Sequence, residues 1–145
     1  MRSDPSLPGR AFVDTSAFYA VADADDAAHE TARRIRRSLV GHQSRLFTSN
    51  FIIDESYTLI RYHLGYRQAI SFLDQLSETA LTIVRITHDD EMRAEQILRR
   101  YRDKAFSYTD ATSFVVMERL SIPTAFSFDN DFTQYGFVTL GASLF

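Results

Sequence analysis

The sequence predicts a three-layer α/β/α sandwich built on a central, mostly parallel sheet. Short, β-rich apolar runs alternate with amphipathic helical stretches along the whole chain. Strands separated by helices pair in parallel through right-handed crossovers, which puts helices on both faces of the sheet. The 145 residues carry no internal repeat, low-complexity tract or break in composition, so one domain is expected.

The elements follow in order. RAFVD (10–14) reads as a short buried strand, followed by a brief helical stretch. Residues 25–40 place Ala28, Ala32, Ile35 and Leu39 at helical spacing. RLFTS (45–49) is the second strand, and Asn50 is the expected N-cap of a helix over 51–63 that Gly65 ends. Residues 66–77 repeat the helical pattern through Ile70, Leu73 and Leu76. LTIVRI (81–86) alternates and is β-branched, hence a strand. A helix over 88–101 gathers Met92, Ile97, Leu98 and Tyr101, and one over 109–120 is apolar nearly all round, as a buried helix is. TAFSF (124–128) and FVTL (137–140) close the set as strands.

Composition narrows the class. The chain is 45% hydrophobic and 24% charged, as in ordinary globular proteins. Its lack of cysteine suits a reducing compartment, and no apolar run approaches the roughly 20 residues that cross a bilayer. Residues 1–9 have two prolines and no apolar core, which reads as a flexible lead-in rather than a secretory signal, ahead of a single domain over 10–145. A cytoplasmic, membrane-free setting is expected. The net charge of −3 does not exclude a nucleic-acid partner, because five acids gathered in one pocket would leave the remainder at −3 + 5 = +2. Every basic residue except Lys104 is arginine, a side chain that suits phosphate but also makes ordinary surface pairs.

Ligands of open parallel sheets bind beyond the carboxyl ends of the strands. Asp14 ends the first strand and Asp129 the fourth; Glu55 lies about a turn into the helix after the second, and Asp110 opens the helix before the fourth. Each has a plain alternative. Asp14 can cap a helix, Glu55 can make a surface ion pair, Asp110 can close a capping box with Ser107, and Asp129 with Asp131 can simply make the turn in DND. As a set they converge on one rim, and clustered carboxylates call for a hard cation such as Mg²⁺ or Mn²⁺. His29, His42, His63 and His88 show no paired metal-ligand spacing, which argues against structural zinc.

FVDTSAFYA (12–20), Glu55 within SNFIIDESYTLI (49–60), and SYTDATSFVVMERLSIPTAFSFDNDF (107–132) together resemble the PIN domain family, in particular the VapC ribonuclease toxins of toxin–antitoxin pairs and their stand-alone relatives. The resemblance spans about residues 11 to 140. It implies a PIN-like nuclease domain with Asp14, Glu55, Asp110 and Asp129 as catalytic acids, and Asp14, Asp110 and Asp129 as ligands of Mg²⁺ or Mn²⁺. Asp131 stands where some members carry a further acid. Thr15, Ser16 and Thr109 match hydroxyl positions that orient a ligand or water, or only cap helices. The implied chemistry is hydrolysis of RNA phosphodiesters by metal-activated water, with a homodimer as the common assembly and an antitoxin protein as the inhibitory partner. Arg33, Arg34, Arg36 and Arg37, or Arg99, Arg100 and Arg102, offer phosphate contacts or only a solvated helix face.

Other classes fit less well. A phosphatase with an aspartyl nucleophile wants an acid two residues on, where Ser16 stands; a receiver domain needs a lysine at a strand end; the five glycines form no G-x-G-x-x-G. A non-catalytic binding module on the same fold remains the alternative from outside enzymology.

Overall fold

The structure, a computed structural model, describes residues 6–142. The elements are β1 (Arg10–Val13), α1 (Thr15–Ala22), α2 (His29–Gly41), β2 (Arg45–Ser49), α3 (Asn50–Leu64), α4 (Tyr66–Glu78), β3 (Leu81–Val84), α5 (His88–Arg100), α6 (Tyr108–Arg119), β4 (Thr124–Ser127), α7 (Asp131–Tyr135) and β5 (Val138–Gly141). Five strands form one sheet in the order β3-β2-β1-β4-β5, and every pairing is parallel. The expected sandwich is present. Only the word "mostly" falls away.

The order follows from the crossovers. From β1 the chain steps outward through β2 to β3, then returns past β1 to lay down β4 and β5 on the other side. The direction of winding therefore reverses between β1 and β4, the switch point at which open α/β sheets leave a crevice. Asp14 and Asp129 follow these two strands.

Strand periodicity assigns the layers. Phe12 faces a core made with Ile52 and with Ala94, Ile97, Phe114 and Phe132 from α5 to α7. Val13 faces the opposite core with Ala17, Ala20, Ala32, Leu39 and Phe126. A third cluster joins α3 and α4 through Ile60, Ala69 and Phe72. Phe18 touches all three and meets Phe72 edge-on at 5.3 Å, so α1 is wedged where the layers meet. On the α5–α6 layer, buried Asp90 receives both Nε and Nη2 of Arg119 at 2.9 and 2.8 Å, a fork that joins two helices.

Several boundaries differ from expectation, each through a local hydrogen bond. Ser49, not Asn50, caps α3 by accepting from Ile52 N–H; the Asn50 side chain instead accepts from Ile86 N–H at 2.8 Å. That bond takes Ile86 out of the sheet, and β3 stops at Val84. α2 starts at His29 rather than near 25 because Asp23 and Asp26 accept from Asp25 and Ala28 N–H, folding 23–28 into turns. The short α7 is absent from the sequence reading. Residues 1–5 of the expected lead-in and 143–145 of the expected domain lie outside the described residues; Pro8 and Gly9 carbonyls accept from Ser44 Oγ and Arg45 N–H. Among the described residues no helix is long and apolar enough to cross a membrane.

Gly141 closes β5 at φ +115°, where a Cβ would lie 2.5 Å from the Ser127 carbonyl oxygen. Both the backbone angle and the missing space demand glycine. Gly141→Ala is expected to destabilise the fold by at least about 2 kcal/mol in denaturant unfolding. An unchanged midpoint would mean that β4 and β5 are not locked at this point.

Candidate active site

β1 carries the chain into α1 through Asp14, the N-cap residue, whose backbone is extended while the helix begins at Thr15. Its N–H donates to the Phe126 carbonyl, so the β1–β4 ladder continues one residue past the strand. The carboxylate is 3% exposed. Oδ2 accepts from Ser16 N–H at 3.4 Å, Ser16 Oγ at 2.9 Å and Ser127 Oγ at 2.9 Å. The two serine hydroxyls also lie 3.1 Å apart, and Ser16 Oγ accepts from Phe128 N–H at 2.9 Å. β1 and β4 are thus tied together by hydroxyls at the point where the acids emerge.

Ser127 is the residue the sequence reading missed. It is fully buried, bonds to Asp14 and accepts from Asp129 N–H at 3.3 Å. Its signal was a lone serine between Phe126 and Phe128, two residues before an acid. A small hydroxyl there reads as a tolerated strand residue unless its neighbour on β1 is known.

Asp110 occupies N3 of α6. Its Oδ2 accepts from Ser107 N–H while its own N–H donates to Ser107 Oγ, each at 2.9 Å. Asp129 accepts from Asp131 N–H at 3.0 Å through Oδ1. The capping and turn roles weighed from sequence are therefore all real. They do not exclude a second role, because the three carboxylates so anchored still come together in one group. Oxygens of Asp14, Asp110 and Asp129 lie within 4.8 Å of one another.

The remaining candidates fall at different distances from this group. Asp131, first residue of α7, lies against Asp110. Glu55 is exposed on the second turn of α3, outside the three-acid group. Thr15 is buried with no partner for its hydroxyl among the described residues, whereas Ser16 is fully engaged. Thr109 contributes its carbonyl, which accepts from the hydroxyls of Thr112 and Ser113.

The electrostatics are unfavourable as they stand. Burial, then the charge of Asp129 and more weakly that of Asp110, pushes the Asp14 carboxyl up to about 8 against the help of its serine donors. Burial and the nearness of Asp110 also raise Asp129. Asp131 is pushed up to about 7 by burial, then by its hydrogen bond to Asp110 and the charges of Asp110 and Asp129. A divalent cation fits this donor set. Octahedral Mg²⁺ takes oxygens at about 2.1 Å, so opposite ligands stand about 4.2 Å apart, slightly inside the observed spread. An all-oxygen set with no cysteine or histidine selects a hard ion.

Known proteins resemble this chain along most of its length. The PIN domain family matches residues 11–138. The 23S rRNA-specific endonuclease VapC20 of Mycobacterium tuberculosis is 37% identical over 127 residues, covering 88% of this chain and 95% of that protein. The VapC ribonuclease of Archaeoglobus fulgidus is 32% identical over 126 residues, covering 85% and 79%. The crystal structure of M. tuberculosis VapC20, described as a sarcin–ricin loop cleaving toxin, superposes with a TM-score of 0.81 at 35% identity, over 88% of this chain and 95% of that one.

A carboxyl raised in the fold binds its proton more tightly there than in the unfolded chain. Its stabilising contribution is complete below the unfolded value of 3.8 and is lost as pH rises through about 8. The metal-free protein is therefore expected to lose stability between pH 5 and pH 8, and Asp14→Asn to flatten that slope and raise stability at pH 8 by at least about 1 kcal/mol. Denaturant midpoints across pH, in chelator, test this. A steep slope retained in the variant would contradict it.

Proposed function

The chain belongs to the PIN domain family, and from that premise we propose that it is a metal-dependent endoribonuclease, the toxin of a toxin–antitoxin pair. The observation that carries the reading is the meeting of three carboxylates from remote segments at the sheet's switch point. Asp14, Asp110 and Asp129 hold Mg²⁺ or Mn²⁺. When bound, the ion polarises water and offsets the charge that grows on the phosphoryl oxygens. The protein's part is positioning. Ser16 and Ser127 fix the Asp14 carboxylate, the Ser107 box fixes Asp110, and the turn at Asp131 fixes Asp129. Asp131 supports the group from beside Asp110, and Thr15 and Thr109 line its approach. Glu55, carried by the family resemblance, serves from the solvent side of α3. The P–O bond is broken by water, with no covalent enzyme intermediate.

An aspartyl-phosphate mechanism finds no support, since Ser16 is committed to Asp14, Ser127 and Phe128 N–H and supplies no acid. The relatives' names make 23S rRNA, and its sarcin–ricin loop, the first substrate to test. The antitoxin is proposed to set a basic residue among the acids. A cleft of about 290 Å³ with Phe18, Leu39, Phe72 and Leu76 on its walls, together with His29, Arg33 and Arg36, suits an amphipathic, acidic segment of that partner. A homodimer working in the cytoplasm completes the proposal, as does a single nuclease domain over 10–145.

Asp14→Asn and Asp110→Asn are each expected to reduce Mg²⁺- or Mn²⁺-dependent RNA cleavage to below about 1% while leaving the circular dichroism spectrum unchanged. Cleavage that persists in a contaminant-free preparation, or that ignores chelator, would refute the assignment.

A further inference from the structure

The first turn of α6, which carries Asp110, also carries one of a pair of aromatic rings that the chemistry above does not use. Phe51, on the first turn of α3, and Tyr108, the first residue of α6, stack with centroids 6.4 Å apart and planes 25° from parallel. Both helices open at the rim that carries the acids. Tyr108 is two residues before Asp110 on the first turn of α6, so their Cα atoms are about 5 Å apart while the side chains leave the helix about 200° apart around its axis. A large ring at such a place usually packs inward, yet Tyr108 is 39% exposed. Its orientation is held at both ends. Phe51 backs the ring, and the hydroxyl donates to Glu91 and Glu95 of α5 at 3.3 and 3.4 Å.

We propose that Tyr108, backed by Phe51, is the platform on which one base of the RNA stacks while the neighbouring phosphate enters the acid group. The inference rests on the ribonuclease reading and adds to it a recognition subsite. Single-stranded nucleic acid is commonly held by stacking on aromatic faces, because every base presents one. The surroundings fix which part of a nucleotide fits. Glu91 and Glu95 repel a phosphodiester but tolerate a neutral base. The rim next to Tyr108 therefore admits a base turned inward and keeps the backbone away. Three segments fix the ring before RNA arrives, so little of its freedom is lost on binding.

Steady-state cleavage of an RNA oligonucleotide with a mapped cut site tests the platform. Tyr108→Phe keeps the ring and loses the hydroxyl; it is expected to stay within about threefold of wild type in KM. Tyr108→Leu removes the stacking face and is expected to raise KM about tenfold or more with kcat altered less than threefold. An abasic nucleotide walked through the positions flanking the cut should reproduce that KM penalty at one position in the wild type. At that position it should add nothing further in Tyr108→Leu. Equal KM values for the wild type and Tyr108→Leu, or additive penalties at every position, would overturn the proposal. If Tyr108→Leu fails to fold, Phe51→Leu and Tyr108→Trp serve instead, with a raised KM expected for the first and a near-normal KM for the second; the reverse result overturns it. A wild-type protein that cleaves no RNA would refute the ribonuclease reading itself, an outcome distinct from cleavage that is indifferent to Tyr108.

Discussion

Repulsion among three carboxylates is the constraint around which this molecule is organised. Asp14 lies far along the chain from Asp110 and Asp129, and β1 and β4 belong to opposite directions of the winding, yet the oxygens of all three acids share one small volume. Nothing in the electrostatics favours that meeting. Burial and mutual charge push Asp14 to about 8, so the group is uncomfortable at neutral pH without a cation. It persists because each acid is anchored by donors that the backbone supplies in any case: an N-cap, a capping box and an aspartate turn. The fold supplies the energy of assembly, and the site retains the demand for charge.

That dual use explains why the serines matter. Ser127 ends β4, at the rim of the β1–β4 pair, and gives its hydroxyl to the carboxylate that follows the neighbouring strand. Ser16 completes a small ring of donors with Phe128 N–H. A hydrogen-bonded carboxylate is held in place, so the acids stay close to one another without a cation. Gly141 underlies the same arrangement from beneath, since only a residue without Cβ lets β5 approach the Ser127 carbonyl. Packing, backbone conformation and the acid group are thus coupled within a few residues of the switch point.

Much of this was legible in the sequence. The alternation of strands and helices gave the layers, because periodicity and crossover handedness act locally and nearly without exception. Asp14, Asp110 and Asp129 were legible because each sits where a strand ends or a helix opens. The strand order was not, since nothing local says that the chain returns past β1 before laying down β4. Ser49 takes the capping role expected of Asn50, because two adjacent residues with equal capping ability are separated only by a bond to Ile86, 36 residues away. Ser127 escaped for the same reason: its meaning lies on the neighbouring strand. Glu55 was placed with the other acids by the sheet-edge argument as well as by family resemblance, and the structure leaves it exposed, outside the three-acid group.

The most direct test is anomalous scattering from a crystal grown with manganese. The account predicts a peak about 2.1 Å from oxygens of Asp14, Asp110 and Asp129 together, with Ser16 and Ser127 still bonded to Asp14. A peak held by other residues, or saturating manganese with no density among these three acids, would contradict it.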